Sequence, residues 1–550
     1  MADQRVAVDR SDSKVHFLDV GPQQYGDALL CTFNERTVLI DGAHPGNDRE
    51  QEGHPSIPDQ IGQLLRSDPP YKLDLLVVSH AHDDHIGCLP SLIETGTVEF
   101  EWALVADPDL GWGRAHGEDR DADIGDDRLQ MVVDALRNEC GPPSRRLDDL
   151  AMSRLIEDAH SLEDSYRGML STLRQRGTHV VRLGQDRVDP LQATFSDIGL
   201  IVIGPSREQL FECADLINRL SRDASARLKD LFQRDTRLTP VDVYRQLTQG
   251  TLDVLDVSRP GAAVNCQSVV ITFQVQGQKF LFGGDMQFQA PGVQSDVISG
   301  TMAELRRTIQ QSAPYDLVKL SHHGSDNGFS EQILRELGDT MLFGICAGEH
   351  SEHHPNPATL QVLNTHRRTI RWARTDRNGL VTMTFGSGTP RVTLTKGRMN
   401  DPRPNTVDVP EQFPQTTEIT PIIQTGPMRP RVVESPVGHE LGVVQVWASI
   451  PHVSTRVSIT VEVNPSSDTM HTRSNSPNVS PYTPGGEPAS PRAIPAAQLR
   501  LGDGRRLPSL LFVTHAGTLA DNIGRAESAE VFDTLRTQGL PLLSDIPRSD

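Results

Sequence analysis

The sequence has little of what marks several classes of protein. Aromatic residues make up only 5% of the 550 residues, and no stretch is apolar enough to span a bilayer. The six cysteines are scattered without a CxxC pair, which argues against a disulfide framework and favours reduced, buried thiols. The N-terminal residues lack the apolar centre of a secretion signal. These absences predict a cytoplasmic protein without a membrane partner.

Basic residues are also in deficit. Lys and Arg number 53 against 73 Asp and Glu, which gives a formal net charge of −20. A surface of this charge repels phosphate backbones, so we expect no extended surface for duplex nucleic acid. Small or single-stranded phosphodiesters remain compatible with the charge, because bound metal ions can supply positive charge locally.

What the chain does contain is a dense group of metal-ligating residues. Residues 73–79 (LDLLVVS) read as a buried strand, and His80, His82, Asp84 and His85 follow within a few positions. In an extended loop His80 and His82 point the same way, and the next turn can present Asp84 and His85 nearby. Imidazoles and carboxylates suit zinc, and also manganese or iron. We interpret the two pairs as ligands of two metals; a solvent loop that binds nothing is the disfavoured alternative.

The pattern His-x-His-x-Asp-His after a strand resembles motif two of the metallo-β-lactamase superfamily. The segments DVG (19–21), GDA (26–28) and LIDGA (39–43) are similar to the metallo-β-lactamase domain of ComEC-type DNA-uptake proteins and its stand-alone relatives. By this resemblance, Asp41 is the motif-one aspartate, which supports the metal loop, residues 79–85, by hydrogen bonding. The resemblance implies an α/β fold, an αββα sandwich with its metals at the edge where strand-end loops meet.

Later motifs complete the resemblance. FGGD ends at Asp285 and resembles motif four, whose aspartate bridges both metals. KLSHHGS (319–325) resembles the ComEC-like branch and implies that His322 or His323 contacts substrate phosphate or protonates the leaving oxygen; we prefer His323, beside Gly324. His354 corresponds to the final metal ligand, which partners Asp84, His85 and Asp285. An ordinary turn aspartate or a core histidine pair is the alternative for these positions.

The resemblance leaves one ligand position open. Most superfamily members supply a third histidine to the metal held by His80 and His82, and no motif in this chain does so clearly. The candidates are Asp107, His116, His160 and His179. A weakly held first metal is the consequence if none of them serves.

The domain organisation follows from shifts in composition. We predict a catalytic domain over 1–395 with helical insertions at about 108–197 and 206–260, the second opening on a capping box at Ser206 and Gln209. A Pro/Thr/Gln-rich linker follows over 396–435, and then a small β-rich C-terminal region over 436–550 with a disordered stretch at about 465–495. A further strand is expected at 507–515 and a helix near 527–538.

The sequence therefore predicts a metal-dependent hydrolase. Two divalent ions, zinc first and manganese as the alternative, would activate a water against a phosphodiester: a nucleotide, short nucleic acid or phospho-ester. Asp84, His323 and His322 are the candidate catalytic residues. Two alternatives stay open: a lactone, amide or thioester hydrolase of the same fold, and a protein that recruits a protein partner through its C-terminal region. A diiron oxidoreductase is disfavoured, because that branch usually has glutamate where this chain has His82.

Overall fold

The computed structural model describes residues 12–22, 25–115, 126–139, 148–248, 260–351, 353–386 and 389–403, and the backbone of further strands after them. It divides into two compact units, Met1–Ile419 and Thr420–Asp550. The strand expected at 507–515, the helix expected near 527–538, and His116 lie outside the described residues.

Fifteen strands are described in the first unit. In chain order they are β1 (Ser13–Phe17), β2 (Leu29–Phe33), β3 (Arg36–Ile40), β4 (Tyr71–Val78), β5 (Val98–Ala106), β6 (His179–Leu183), β7 (Ile201–Gly204), β8 (Val270–Val275), β9 (Gln278–Phe282), β10 (Leu317–Lys319), β11 (Leu342–Ile345), β12 (Arg371–Arg374), β13 (Val381–Phe385), β14 (Arg391–Leu394) and β15 (Gln415–Glu418).

The helices of the same unit lie between these strands. They are α1 (Ile57–Leu65), α2 (Asp83–Ile86), α3 (Leu89–Glu94), α4 (Pro108–Gly111), α5 (Asp127–Arg137), α6 (Asp149–Gln175), α7 (Asp189–Thr194), α8 (Arg207–Arg234), α9 (Pro240–Thr248), α10 (Pro260–Asn265), α11 (Asp296–Ser312), α12 (Glu331–Glu336), α13 (Pro357–Thr365) and α14 (Thr375–Asn378). Single 3-10 turns form at Ser196–Ile198 and His322–Gly324.

The strands form two mixed sheets. The first has the order β15-β14-β13-β1-β2-β3-β4-β5-β6, and the second has the order β12-β11-β10-β9-β8-β7. Strands β1 to β3 form an antiparallel meander, and β8 and β9 form a hairpin. The hairpin turns at Gln276 and Gly277, where φ is +53° and +86°. Positive φ at both central residues matches the twist of the flanking strands.

The main core lies between the two sheets. Buried side chains of β1 to β4 and β13 face those of β8 to β12 there, and the Phe33 and Phe280 rings lie 4.9 Å apart between centroids. Helices α1, α3 and part of α6 cover the outer face of the first sheet. Helices α11 to α13 cover the outer face of the second. The unit is the αββα sandwich that the sequence predicts.

The two predicted insertions are only partly separate from this sandwich. Strand β6, inside the first of them, pairs in parallel with β5 and extends the first sheet. The C-terminal half of α6 and the N-terminal half of α8 pack in the outer helical layer. The other halves form a satellite core with α5 and α9. Strand β6 was not predicted, because its five residues, HVVRL, are too short a run to separate from the neighbouring helical pattern.

The predicted capping box at the start of α8 forms on one side only. Ser206 accepts a hydrogen bond from the Gln209 backbone nitrogen at 3.2 Å, as expected of an N-cap. The Gln209 side chain does not return the bond, because it is buried and donates to the Cys266 carbonyl at 2.8 Å. Gln209 therefore links α8 to the segment after α10.

The C-terminal unit contains a five-stranded sheet of β16 (Arg431–Glu434), β17 (Glu440–Ala448), β18 (Val457–Asn464), β19 (Thr469–Ser474) and β20 (Ile494–Pro495). Strand β19 falls within the stretch expected to be disordered, where its backbone pairs with β18. Strand β15 falls within the predicted linker and pairs with β14. Backbone pairing to an existing strand adds order that low-complexity composition does not predict. Among the helices described, none combines the length and apolar character that crossing a bilayer requires.

Candidate metal centre

The centre starts at the neighbouring ends of two parallel strands, β3 and β4. Because Ile40 pairs with Val77 in parallel register, the residues that follow each strand meet at one edge of the sheet. Asp41 takes a φ of +60° there, and its carboxylate accepts hydrogen bonds from the backbone nitrogen and Oγ of Ser79, each at 2.7 Å. Asp41 thus fixes the first residue of the metal loop.

Asp41 also sets the orientation of His85. Nδ1 of His85 lies 2.8 Å from Oδ2 of Asp41, so Nδ1 carries the proton that this carboxylate accepts. Nε2 of His85 then faces the interior of the centre. A carboxylate behind an imidazole is a common way to orient a metal ligand. The geometry agrees with the supporting role expected of Asp41.

Asp84, His85, Asp285 and His323 converge on one point from three elements, α2 and the loops after β9 and β10. Nε2 of His323 lies 2.9 Å from Oδ2 of Asp84 and 3.0 Å from Oδ2 of Asp285. Nε2 of His85 lies 3.4 Å from Oδ2 of Asp84 and 3.3 Å from Oδ1 of Asp285. Carboxylates and imidazoles therefore alternate around a shared centre.

This cluster fits a divalent cation. All four side chains are 0% exposed, and their ligand atoms lie within 4.8 Å of one another. Within the described part of the chain, neither oxygen of Asp285 nor Nε2 of His85 or His323 makes a hydrogen bond of acceptable geometry. Buried polar atoms of this kind are costly unless something satisfies them. A cation bound between them would do so, since oxygen and imidazole nitrogen are its usual ligands.

The charges within the cluster also favour a bound cation. Burial alone would lower the pKa of His85 and of His323, but the carboxylates around them, including Asp285, hold both pKa values well above the ordinary value. Burial alone would raise the pKa of Asp84 and Asp285, but the two imidazolium groups hold these pKa values well below the ordinary range. Protons on the two histidines thus supply the positive charge that a metal ion would supply.

Next to this cluster, His80 and His82 form a potential site of their own. It is called the first site here, because its residues come first in the chain, and the cluster is the second site. The Arg137 carbonyl can only accept, so Nε2 of His82, 3.1 Å away, carries a proton and Nδ1 a lone pair. Ser79 Oγ gives its proton to Asp41 and therefore accepts from Nδ1 of His80 at 3.0 Å. The remaining nitrogens, Nε2 of His80 and Nδ1 of His82, face each other at 3.0 Å. Two ligands of a tetrahedral zinc ion are separated by about 3.3 Å, so the pair fits one metal.

Comparison with known proteins agrees with the fold and with this loop. Residues 24–144, which include Asp41 and His80 to His85, match the family model of the metallo-beta-lactamase superfamily. Within this stretch the chain has the sequence features of a metallo-β-lactamase superfamily domain. It is similar to ComE operon protein 3 of Bacillus subtilis (strain 168), with 28% identity over 121 residues, 22% of this chain and 14% of that protein. Both findings confirm the resemblance seen in the motifs, and the superfamily indicates a metal-dependent hydrolase.

The match to the metallo-β-lactamase family ends before Asp285, His322, His323 and His354, so the structure alone shows how these residues lie. His323, expected to contact substrate, stands among the cluster ligands. His354, expected to be the final ligand, is not in that group; its ring lies 5.8 Å from that of His323 and 5.3 Å from that of His322, between centroids. The geometry thus places His323 among the candidate ligands and His354 outside that group, which differs from the sequence expectation.

An unusual turn produces this arrangement. His322, His323 and Gly324 have φ values of +52°, +48° and +76°, so three successive residues are left-handed. Left-handed backbone costs roughly 1–2 kcal/mol for a residue with a side chain, and it persists where the surroundings demand it. The turn points Nε2 of His323 at the cluster, while Nδ1 of His322 binds Asn327 Oδ1 at 2.7 Å. Nothing in the sequence pattern HHG predicts this conformation at the two histidines.

None of the described candidates for the third ligand of the first site lies beside His80 and His82. Asp107 caps α4 by accepting from the backbone nitrogens of Asp109 and Leu110. His160 binds Asp134 on α5 at 2.9 Å. His179 packs on Trp102, with ring centroids 4.6 Å apart. His116 lies outside the described residues.

Two buried charges that no motif had marked as functional, Asp27 and Lys319, lie beneath the centre, each 1% exposed. They form an ion pair; Nζ of Lys319 also donates to the Gly284 carbonyl at 2.8 Å and lies 3.6 Å from Oδ1 of Asp285. Oδ1 of Asp27 lies 3.2 Å from Nδ1 of His323, whose better aligned acceptor is the Cys346 carbonyl, also at 3.2 Å. Both residues stand inside the motifs GDA and KLSHHGS, which was the available signal.

Two further side chains lie beside the histidines. The Tyr25 ring stacks on His323 at 5.4 Å between centroids and meets His354 edge-on at the same distance. Nδ2 of Asn265, a 1% exposed residue that ends α10, lies 3.3 Å from Nε2 of His322. Since Nδ1 of His322 donates to Asn327, Nε2 of the neutral ring accepts from the Asn265 amide. His322, His354 and Asn265 therefore form a polar wall next to Asp285.

Proposed function

We propose that this protein is a hydrolase of phosphodiesters that binds two divalent metal ions, zinc first and manganese as the alternative. The observation that carries the proposal is the buried convergence of Asp84, His85, Asp285 and His323 beside the facing nitrogens of His80 and His82. When bound, the metal pair supplies an acidified water as nucleophile and positive charge for the oxygens of the reacting group.

The chain's own residues hold that pair in place. His80 and His82 would bind one ion, and Asp84, His85 and His323 the other. Asp285 would join the second group, because its Oδ1 faces His85 and its Oδ2 faces His323. Its charge also acts on both His80 and His82. Burial lowers the pKa of His82 to about 4, so this imidazole is neutral and able to ligate at neutral pH.

The surroundings of the cluster favour a phosphoryl group as substrate. The transition state of phosphoryl transfer spreads negative charge over several oxygens, which calls for several donors at once. His322, His354 and Asn265 lie together beside Asp285, with Nε2 of His322 3.9 Å from its Oδ2. A lactone or thioester develops charge on a single oxygen and needs fewer donors.

His322 is the residue that we assign to the leaving group. Nε2 of His323 is enclosed by Asp84 and Asp285, whereas His322 is anchored through Nδ1 to Asn327 and keeps its Nε2 towards the centre. In the imidazolium form, with Nδ1 donating to Asn327 and a second proton on Nε2, His322 can give the Nε2 proton to the departing oxygen, which leaves poorly as an alkoxide. This assignment replaces the sequence preference for His323 in that role.

The test combines metal analysis with substrate profiling. We expect about two metal ions per chain by plasma mass spectrometry, and turnover of bis(p-nitrophenyl) phosphate in preference to p-nitrophenyl acetate and to lactones. Asp285→Asn should lose metal and turnover, whereas Asp339→Asn, a control at an exposed aspartate, should change neither. Two bound metals with turnover of carboxylic esters alone would replace the phosphodiester proposal with the lactone and thioester class.

A further inference from the structure

The helical layer formed by α5, α6, α8 and α9 lies next to the sandwich, and one of its contacts with the metal loop is the C-terminal end of α5. Arg137 is the last residue of α5, and Asn138 and Glu139 follow it. Two bonds join this segment to the loop. The Arg137 carbonyl accepts from Nε2 of His82 at 3.1 Å, and Oδ1 of Asn138 accepts from the Asp83 backbone nitrogen at 2.9 Å.

These two bonds act on the geometry of the first site. The carbonyl fixes the proton of His82 on Nε2, so that the Nδ1 lone pair faces His80. The Asn138 amide satisfies the first backbone donor of α2, the helix that presents Asp84 and His85, where His82 is the cap residue but its side chain makes no capping bond. One segment outside the sandwich therefore orients a candidate ligand and caps the helix that carries two others.

The segment is itself held firmly. Leu129, Val132, Val133 and Leu136 of α5 are buried in the satellite core with α6, α8 and α9. From the other side, α10 packs so closely that a Cβ placed on Gly261 would lie 2.1 Å from the Glu139 carbonyl oxygen and 3.1 Å from that of Arg137. The position of the two carbonyls thus depends on the whole helical layer and on one glycine.

We propose that the C-terminal end of α5 is a positioning element of the first metal site, so that docking of the helical layer sets the affinity of that site. The inference depends on the metal centre proposed above. It gives the helical layer a function in the chemistry of the site. It also explains how a site with two histidines can hold a metal without a third ligand among the described candidates, because its two ligands are preorganised.

Gly261→Ala provides the sharpest test, since the added methyl group must displace the Arg137–Glu139 segment while every proposed ligand remains. We expect the variant to bind the first metal 10- to 100-fold more weakly than the unaltered protein, which is the range for loss of a partner behind a ligand. Gly168→Ala is the matched control: it lies on α6 in the same layer, and a Cβ there meets nothing within 4 Å. Asn138→Ala, paired with Asn218→Ala on α8, tests the second bond in the same way.

The readout is stepwise titration with Co²⁺, followed by its visible absorption, together with plasma mass spectrometry after dialysis against a chelator. We expect one of the two cobalt spectra to be lost or weakened in Gly261→Ala and Asn138→Ala, and the second to be unchanged. Unchanged metal affinity with only a lower thermal midpoint would show that α5 contributes packing alone. That result would overturn the inference. An unaltered protein that binds no metal would instead overturn the proposed function itself.

Discussion

Asp27 and Lys319 illustrate how much of this centre depends on residues that do not ligate. They form a fully buried ion pair beneath Asp285 and His323. Removing one member of such a pair leaves an uncompensated charge in a low-dielectric interior, whereas removing both does not. The pair is therefore expected to behave as one unit in its effect on stability.

For the free energy of unfolding of the metal-free protein, we expect Lys319→Met to cost about 3–5 kcal/mol, because the Asp27 carboxylate is left buried without its cation. The double variant Asp27→Asn with Lys319→Met should recover most of that loss. Urea unfolding followed by circular dichroism measures both. Arg187→Met, which breaks a pair at the exposed Arg187 and Asp189, is the control and should leave the midpoint unchanged. Equal costs for the single and double variants would contradict this account.

Alanine variants of the two neighbouring histidines, His322 and His323, should separate metal binding from catalysis. His323→Ala removes a group placed between two carboxylates, so we expect loss of bound metal together with turnover. His322→Ala should keep the metal content and lower kcat about 10²–10⁴-fold, the usual contribution of a general acid. Metal content and steady-state kinetics on the same preparations give the result. Metal loss in His322→Ala with metal retained in His323→Ala would reverse the two roles.

At the scale of elements, the left-handed turn His322–Gly324 connects strand β10 to the centre. A Cβ on Gly324 would lie 3.0 Å from Cβ of Pro355, the residue after His354, and φ at this glycine is +76°. The glycine therefore permits both the turn and the close approach of the loop that carries His354. The β8–β9 hairpin offers a comparable glycine without such a neighbour: Gly277 has a φ of +86°, and a Cβ there meets nothing within 4 Å.

We expect Gly277→Ala to cost roughly 1–2 kcal/mol of unfolding free energy from backbone strain and to leave metal affinity unchanged. Gly324→Ala should cost at least as much and should also weaken metal binding, since the turn must shift and His323 with it. Chelator competition and thermal unfolding, run on both variants, separate the two effects. Unchanged metal affinity in Gly324→Ala would show that the turn tolerates movement without displacing His323.

At the scale of the whole molecule, the charges of the centre couple its stability to pH and to metal. The depressed pKa values of Asp84 and Asp285 stabilise the metal-free fold above about pH 4, and this contribution is lost as the pH falls through the folded values. The raised pKa values of His85 and His323 stabilise the metal-free fold fully below about pH 6.5. This contribution to stability is lost as the pH rises through the folded values.

The metal-free protein should therefore have its highest Tm between about pH 4 and pH 6.5 and a falling Tm at higher pH. Metal binding displaces the protons of His85 and His323, so the affinity for Zn²⁺ should rise with pH, and the loaded protein should lack the alkaline decline. Calorimetric scans with and without a chelator measure the difference. A metal-free Tm that increased from pH 6.5 to pH 9 would contradict the charge pattern.

Features with local signals could be predicted from the chain alone. The buried run before His80 depends only on neighbouring residues and forms strand β4 as predicted, and the capping residue Ser206 was recognised in the same way. The αββα sandwich followed from a resemblance that the motifs carried. Strand β6 was missed because five residues do not show a period.

Which distant residues share the centre depends on how the strands and loops pack in three dimensions. Asp27 and Lys319 are nearly 300 positions apart and meet because β9 and β10 are parallel neighbours and the loop before β2 lies at their ends. The roles of His322 and His323 differ through backbone angles that no spacing encodes. The same holds for the Arg137 carbonyl, a backbone atom without a sequence signature, which orients His82 because a helix happens to end there.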